Sequence, residues 1–176
     1  GLMALDLKSD TEVQKLLRDE CRRLGRFEDF FLFDISKPQI SCGYNPLHSG
    51  TSSELKDKII GSFEWSEPFY KKIAEEYLGA ILRSLVIKRD QIGEAIHLAD
   101  LLECLKNPKS LKSISDQISQ IAPETAKEIQ ALCENLGKTQ VFESLAGIRA
   151  DLTSLVRSSF APLLTQKDSI DLYKII

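Results

Sequence analysis

From Phe69 to Leu155 the apolar residues recur three and four positions apart, and prolines stand where several of these runs begin. That combination restricts the stretch to α-helices packed side by side, because each apolar face has to be buried against another. Just before it, Thr51 followed by Glu54 predicts a capping box, and Leu55, Ile59 and Ile60 give a short helix its apolar face until Gly61. Ser66 or Glu67 then caps a longer helix with Pro68 in its first turn, carried by Phe69, Ile73, Tyr77, Ala80, Ile81 and Leu85. A short helix follows on Leu98, Leu101, Leu102 and Leu105, and Asn107-Pro108 opens the next on Leu111, Ile114, Ile118 and Ile121. Pro123 opens another, with Ala126, Ile129, Leu132, Cys133 and Leu136 inward and Gly137 where a left-handed cap belongs. One last long helix is predicted over Val141, Leu145, Ile148, Leu152 and Leu155.

The first 45 residues follow a different pattern. Leu2-Met3-Ala4-Leu5 reads as a buried strand that empties into the polar loop Asp6 to Asp10. Asp10 or Thr11 caps a helix with Val13, Leu16, Leu17 and Leu24 on one face and Gly25 at its end. Phe30 to Ile35 is a second apolar run of the kind buried on both faces in a parallel sheet. Strand, helix and strand over about 30 or more residues make a βαβ unit, which leaves open edges and too little buried area to stand alone. Ser36 to Gly50, broken by Pro38, Gly43 and Pro46, is a connector, and Asp168 to Ile176 turns apolar again as a return toward the first segment. The predicted class is mainly α: an all-α helical bundle over 46–165, a small α/β (βαβ) segment over 1–45, and a return segment over 166–176.

Chemistry is sparse in this chain. A net charge of -3, with 23 basic and 26 acidic residues intermixed, supplies no broad positive field for strong unaided nucleic-acid binding. The four cysteines (Cys21, Cys42, Cys104 and Cys133) are far apart and read as reduced thiols, not a zinc site. There is no apolar run long enough to span a bilayer and no signal-peptide pattern, so no membrane contact is expected of this chain. A glycine-rich phosphate loop ending in lysine and serine or threonine is absent, as is a serine elbow. His48 and His97 each stand alone, and Glu64, Glu67, Glu75 and Glu76 read as solvated helix charges; no catalytic or metal-binding residue is assigned. Trp65, Glu67, Phe69, Tyr70, Lys71 and Lys72 form the candidate surface. They either pack a junction between domains or offer aromatic anchors to a partner. Lys106, Lys109 and Lys112 are read as solvated, with phosphate contact as the alternative.

Several segments in order carry a resemblance: Asp6-Leu7-Lys8-Ser9-Asp10 after the first strand, Phe31-Leu32-Phe33-Asp34, Tyr44-Asn45-Pro46-Leu47, and Glu54 to Ile60 running into Glu64-Trp65-Ser66-Glu67-Pro68-Phe69-Tyr70-Lys71. Leu98 to Leu105 and Phe160-Ala161-Pro162-Leu163-Leu164 continue it. In this order the chain resembles the type IV secretion and conjugation coupling proteins, the TraD/TraG-like and HerA-like hexameric ATPases. The resemblance implies that an all-α domain is inserted in a RecA-like motor domain between its Walker A and Walker B segments. The termini would then be a remnant of that motor, with Asp6, Lys8 and Asp10 in a nucleotide-domain loop whose usual proline and glycine are Leu7 and Ser9 here. It further implies a parent homohexamer at the cytoplasmic face of the inner membrane that uses ATP and Mg, although this chain carries no cofactor site of its own. The partners implied are relaxosome or effector proteins, with weak contact to DNA. The other reading of the residues is a free-standing helical adaptor that binds a protein.

Overall fold

The computed structural model describes residues 10–166 and 169–171. The chain is mainly α, with eight α-helices among the described residues and no β-strand. It divides into two compact units: Pro46–Ser158, and the residues up to Asn45 together with those from Ser159 onward.

The Pro46–Ser158 unit holds seven of the helices: α2 (Ser52–Gly61), α3 (Pro68–Ile87), α4 (Leu98–Lys106), α5 (Pro108–Ile118), α6 (Pro123–Leu136), α7 (Thr139–Ser144) and α8 (Ala146–Val156). Local sequence sets their starts. Thr51 Oγ1 accepts from Glu54 N at 3.3 Å while Glu54 Oε2 accepts from Thr51 N at 2.7 Å, so each side chain satisfies the other residue's amide. Asn107 Oδ1 accepts from Lys109 N at 3.0 Å, and Pro68, Pro108 and Pro123 occupy first-turn positions where no amide is needed. Helix α3 lies at the middle, packing on α2, α4, α5 and α6, while α4 also packs on α8. Leu78, Ile81, Leu82 and Leu85 of α3 are fully buried, as are Leu101 and Leu105 of α4. At its end α3 loosens into a π-turn over Lys88–Ile92 and stops at Gly93, whose φ of 81° suits glycine. Arg89 in that turn donates to Leu47 O at 3.0 Å and to Gly50 O at 2.8 Å, clamping the loop that leads into α2.

Four expectations for this unit are corrected. Phe69, predicted inward on α3, is 55% exposed, and Ile121 lies past the end of α5 and is exposed too. Gly137 has a φ of -72°, so α6 closes without the left-handed glycine. The predicted long helix over 141–155 is two helices that break at Leu145, whose side chain is fully buried. Ser144 Oγ donates back to Gln140 O at 2.8 Å, and Gly147 follows in the first turn of α8; both weaken a continuous helix at that point.

The other unit contains α1 (Thr11–Arg23), capped by Asp10 Oδ1 accepting from Glu12 N at 2.8 Å and ended by Gly25 at a φ of 67°. No residue of α1 is buried. The predicted strand over 30–35 is not formed. Phe27–Asp29 is a 3₁₀ turn, and the extended backbone after Phe30 makes no ladder among the described residues. A strand exists only through a neighbour, and here one bond, Cys42 N to Leu32 O at 2.8 Å, takes the place of a ladder. Leu2 to Leu5, Asp6, Lys8 and the end of the return segment lie outside the described residues. The two chain segments of the unit meet at an isolated parallel bridge between Gly43 and Ser169. Tyr44 N donates to Leu163 O and Ile170 N to Gly43 O, both at 2.7 Å, and Asn45 N donates to Ser169 Oγ at 3.0 Å. Gly43 has to be glycine, because a Cβ there would overlap the side chain of Gln166. Among the described residues no helix is long and apolar enough to cross a membrane.

Candidate functional site

The turn between α2 and α3 brings the candidate residues together at the start of α3. Trp65 is half-buried, and its indole Nε1 donates to Ile60 O at 2.8 Å, which satisfies a carbonyl at the C-terminal end of α2. It therefore fastens the turn. Glu67 is the residue that precedes Pro68 at the head of α3, in extended conformation and without a side-chain capping bond. Phe69 and Tyr70 are 55% and 40% exposed, with ring centroids 5.6 Å apart at 68°, an edge-to-face pair presented outward from one turn of helix. Lys71 reaches Glu75 at 3.9 Å and Lys72 is exposed beside it.

Glu64, Glu67, Glu75 and Glu76 surround Lys71 and Lys72 in sequence, so the neighbourhood carries two more acidic than basic groups, four against two. A polyanion gains little from that balance. The arrangement suits a protein partner that covers two aromatic rings and presents basic groups to the acidic rim.

The nucleotide-loop candidates fare differently. Asp6 and Lys8 lie outside the described residues, and the Asp10 carboxylate is engaged in capping α1. Asp34, from the apolar run expected as a strand, is 6% exposed and sits in a polar knot. Its carboxylate accepts from Ser36 Oγ at 2.6 Å and from Gln14 Nε2 at 3.3 Å, with Lys37 Nζ at 3.6 Å. Ser41 Oγ donates to the Asp34 carbonyl at 2.7 Å and accepts from its amide at 2.9 Å. This knot folds the loop that replaces the strand. Among the described residues no three histidine, cysteine or acidic side chains gather where they could hold a metal ion. The cysteines are free thiols; burial pushes up the pKa of Cys42 and Cys133, and that of Cys104 to about 12.

One buried charged residue was absent from the sequence reading. Arg149 lies within the apolar spacing of α8, between Ile148 and Leu152, and is buried there. A charge at core spacing is the signal that marks it. No protein-family model, curated protein or solved structure matches the chain.

Proposed function

We propose that the chain is the all-α substrate-recognition module, with flanking motor segments, of a type IV secretion or conjugation coupling ATPase, and that it does not hydrolyse ATP by itself. The observation that carries the reading is topological. The chain leaves one unit at Asn45, builds seven helices over Pro46–Ser158, and returns to the first unit, where Gly43 and Ser169 pair. An all-α domain inserted into another domain is the arrangement that the resembling family has. The flanking unit also supports it, because Val13, Leu16, Phe27, Phe31, Phe33 and Ile35 are all exposed, an apolar load suited to cover by a larger sheet domain. ATP and Mg would belong to the remainder of such a parent protein. The α3 surface at Phe69 and Tyr70 would meet a protein substrate, and its acidic surplus disfavours DNA there.

The decisive experiment starts with the coding sequence on both sides of this chain, where a glycine-rich phosphate loop upstream and an acidic strand end downstream are expected. In the full-length protein, Phe69→Ala/Tyr70→Ala should then abolish substrate transfer while ATP hydrolysis persists. Flanks without either motif would overturn the reading in favour of the free-standing adaptor, and phosphate release from the 176-residue chain alone would overturn the claim that it does not hydrolyse ATP by itself.

A further inference from the structure

Arg149 is 8% exposed, and its Nη1 is buried with no hydrogen-bond partner. The guanidinium instead stacks on the ring of Phe142, with its central carbon 3.5 Å from the ring centroid. Five other arginines, Arg22, Arg23, Arg26, Arg83 and Arg89, each pair with a carboxylate, while Arg18 lies over the ring of Phe30. Arg149 forms no such pair among the described residues, and neither do Lys106 at the end of α4 and Arg157 just past α8. Lys106 Nζ donates to Thr153 Oγ1 at 3.0 Å, and that hydroxyl donates to Arg149 O at 2.6 Å, one turn back. Arg157 follows one turn further and is exposed. The nearest acid on α4, Glu103, is taken up by Asn107 and Ser110.

The cover over Arg149 is weakly anchored. Phe142 belongs to α7, six residues long with none buried, and is itself 42% exposed. An element with so little burial is among the first to move locally.

From this geometry we propose that Arg149, beneath Phe142, forms a binding site for a carboxylate side chain on an acidic segment of a partner protein. The entering Asp or Glu displaces the ring and meets the guanidinium fork in a bidentate pair. A nucleic-acid backbone fits less well, because Arg149 is sheltered from a thick phosphate chain and the exposed Lys106 and Arg157 alone are a short positive row. The site lies wholly within Pro46–Ser158 and stands whether or not the chain comes from a coupling protein.

The test uses the whole chain, isotope-labelled and titrated with a short peptide of alternating glutamate and leucine. The same peptide with glutamine in place of glutamate, and single-stranded DNA, serve as comparisons. The acidic peptide should shift the Arg149 Nε–H and Phe142 ring resonances to saturation. Arg149→Met should weaken it by about tenfold or more, with Arg149→Lys failing to restore the fork, as the loss of a charge-assisted bidentate pair requires. Phe142→Ala, which leaves the guanidinium in place and removes its cover, should tighten binding. An acidic peptide that leaves the Arg149 signal unmoved, equal affinity for Arg149→Met confirmed as folded by its melting curve, weaker binding by Phe142→Ala, or DNA shifting these resonances when the peptide does not, would each overturn the proposal.

Discussion

Arg149 occupies a position on α8 that the spacing of Leu145, Ile148 and Leu152 gives to the core, and burial lowers its pKa because the cation is cut off from water. Leaving a buried charged donor unmatched costs roughly 1–3 kcal/mol or more, and apolar replacements of buried charges are often stabilising. Arg149→Met should therefore raise the stability of the chain by about 1–3 kcal/mol in urea unfolding. A loss of that size would mean that the Phe142 ring already compensates the charge. Cys104 is the complementary case, a buried thiol whose neutrality is favoured first by burial and then by Asp100 and Glu103, with its pKa pushed up to about 12. Because the folded value lies above the ordinary 9.0, its contribution is fully present below pH 9 and is lost as pH rises toward 12. Cys104→Val should flatten that alkaline loss, measured by urea midpoints across the range. In the native chain at neutral pH, Cys104 should resist thiol reagents until the protein unfolds.

At the scale of elements, the helices whose signals are local were legible and those features that depend on a distant neighbour were not. Thr51 with Glu54, Asn107 with Pro108, and Gly25 mark helix ends through bonds that span a few residues, and the structure forms each of them. The run Phe30 to Ile35 has strand composition, but a strand needs a paired edge, and the polar knot around Asp34 competes for the same backbone. The break between α7 and α8 is the exception, a local one at Ser144 and Gly147 that the apolar spacing of Val141, Leu145 and Ile148 hides. For the candidate surface, the clustering of Trp65, Phe69 and Tyr70 was readable from their spacing. Which rings face out was not, because that depends on where α2 packs. Thr51→Ala removes the hydroxyl half of the capping box and should cost about 1 kcal/mol. Glu54, the other half, has its pKa lowered first by its bond to the Thr51 amide and then by the Thr51 hydroxyl, which donates to Oε2 at 2.9 Å and is lost in Thr51→Ala. Its contribution is present above the ordinary carboxyl pKa and is lost on acidification, so the Thr51→Ala deficit should shrink at acid pH, a trend that urea titrations at several pH values would follow.

Across the whole molecule the buried apolar side chains are very unevenly shared. Among the described residues, every core residue except Leu163 and Leu164 lies within Pro46–Ser158, while the other unit exposes Val13, Leu16, Leu24, Phe27, Phe31, Phe33, Ile35 and Ile40. Burial of apolar surface is the main favourable term in folding, so the cooperative unfolding of this chain should be that of the helical unit. The fragment 46–158, produced alone, is expected to melt in one sharp transition and to keep the amide spectrum that those residues have in the full chain. Leu101→Ala, a truncation at a fully buried position of α4, should lower the stability of both by a similar amount, about 2–5 kcal/mol. Gly43→Ala acts in the other unit, where its methyl group meets Gln166, and should loosen the pairing of Gly43 with Ser169 while leaving that transition in place. If the isolated fragment instead melts broadly and binds a hydrophobic dye, the helices depend on the flanking segments for their packing. A shared fall in melting temperature for Gly43→Ala would point to the same dependence, and the picture of a self-sufficient inserted unit would fail.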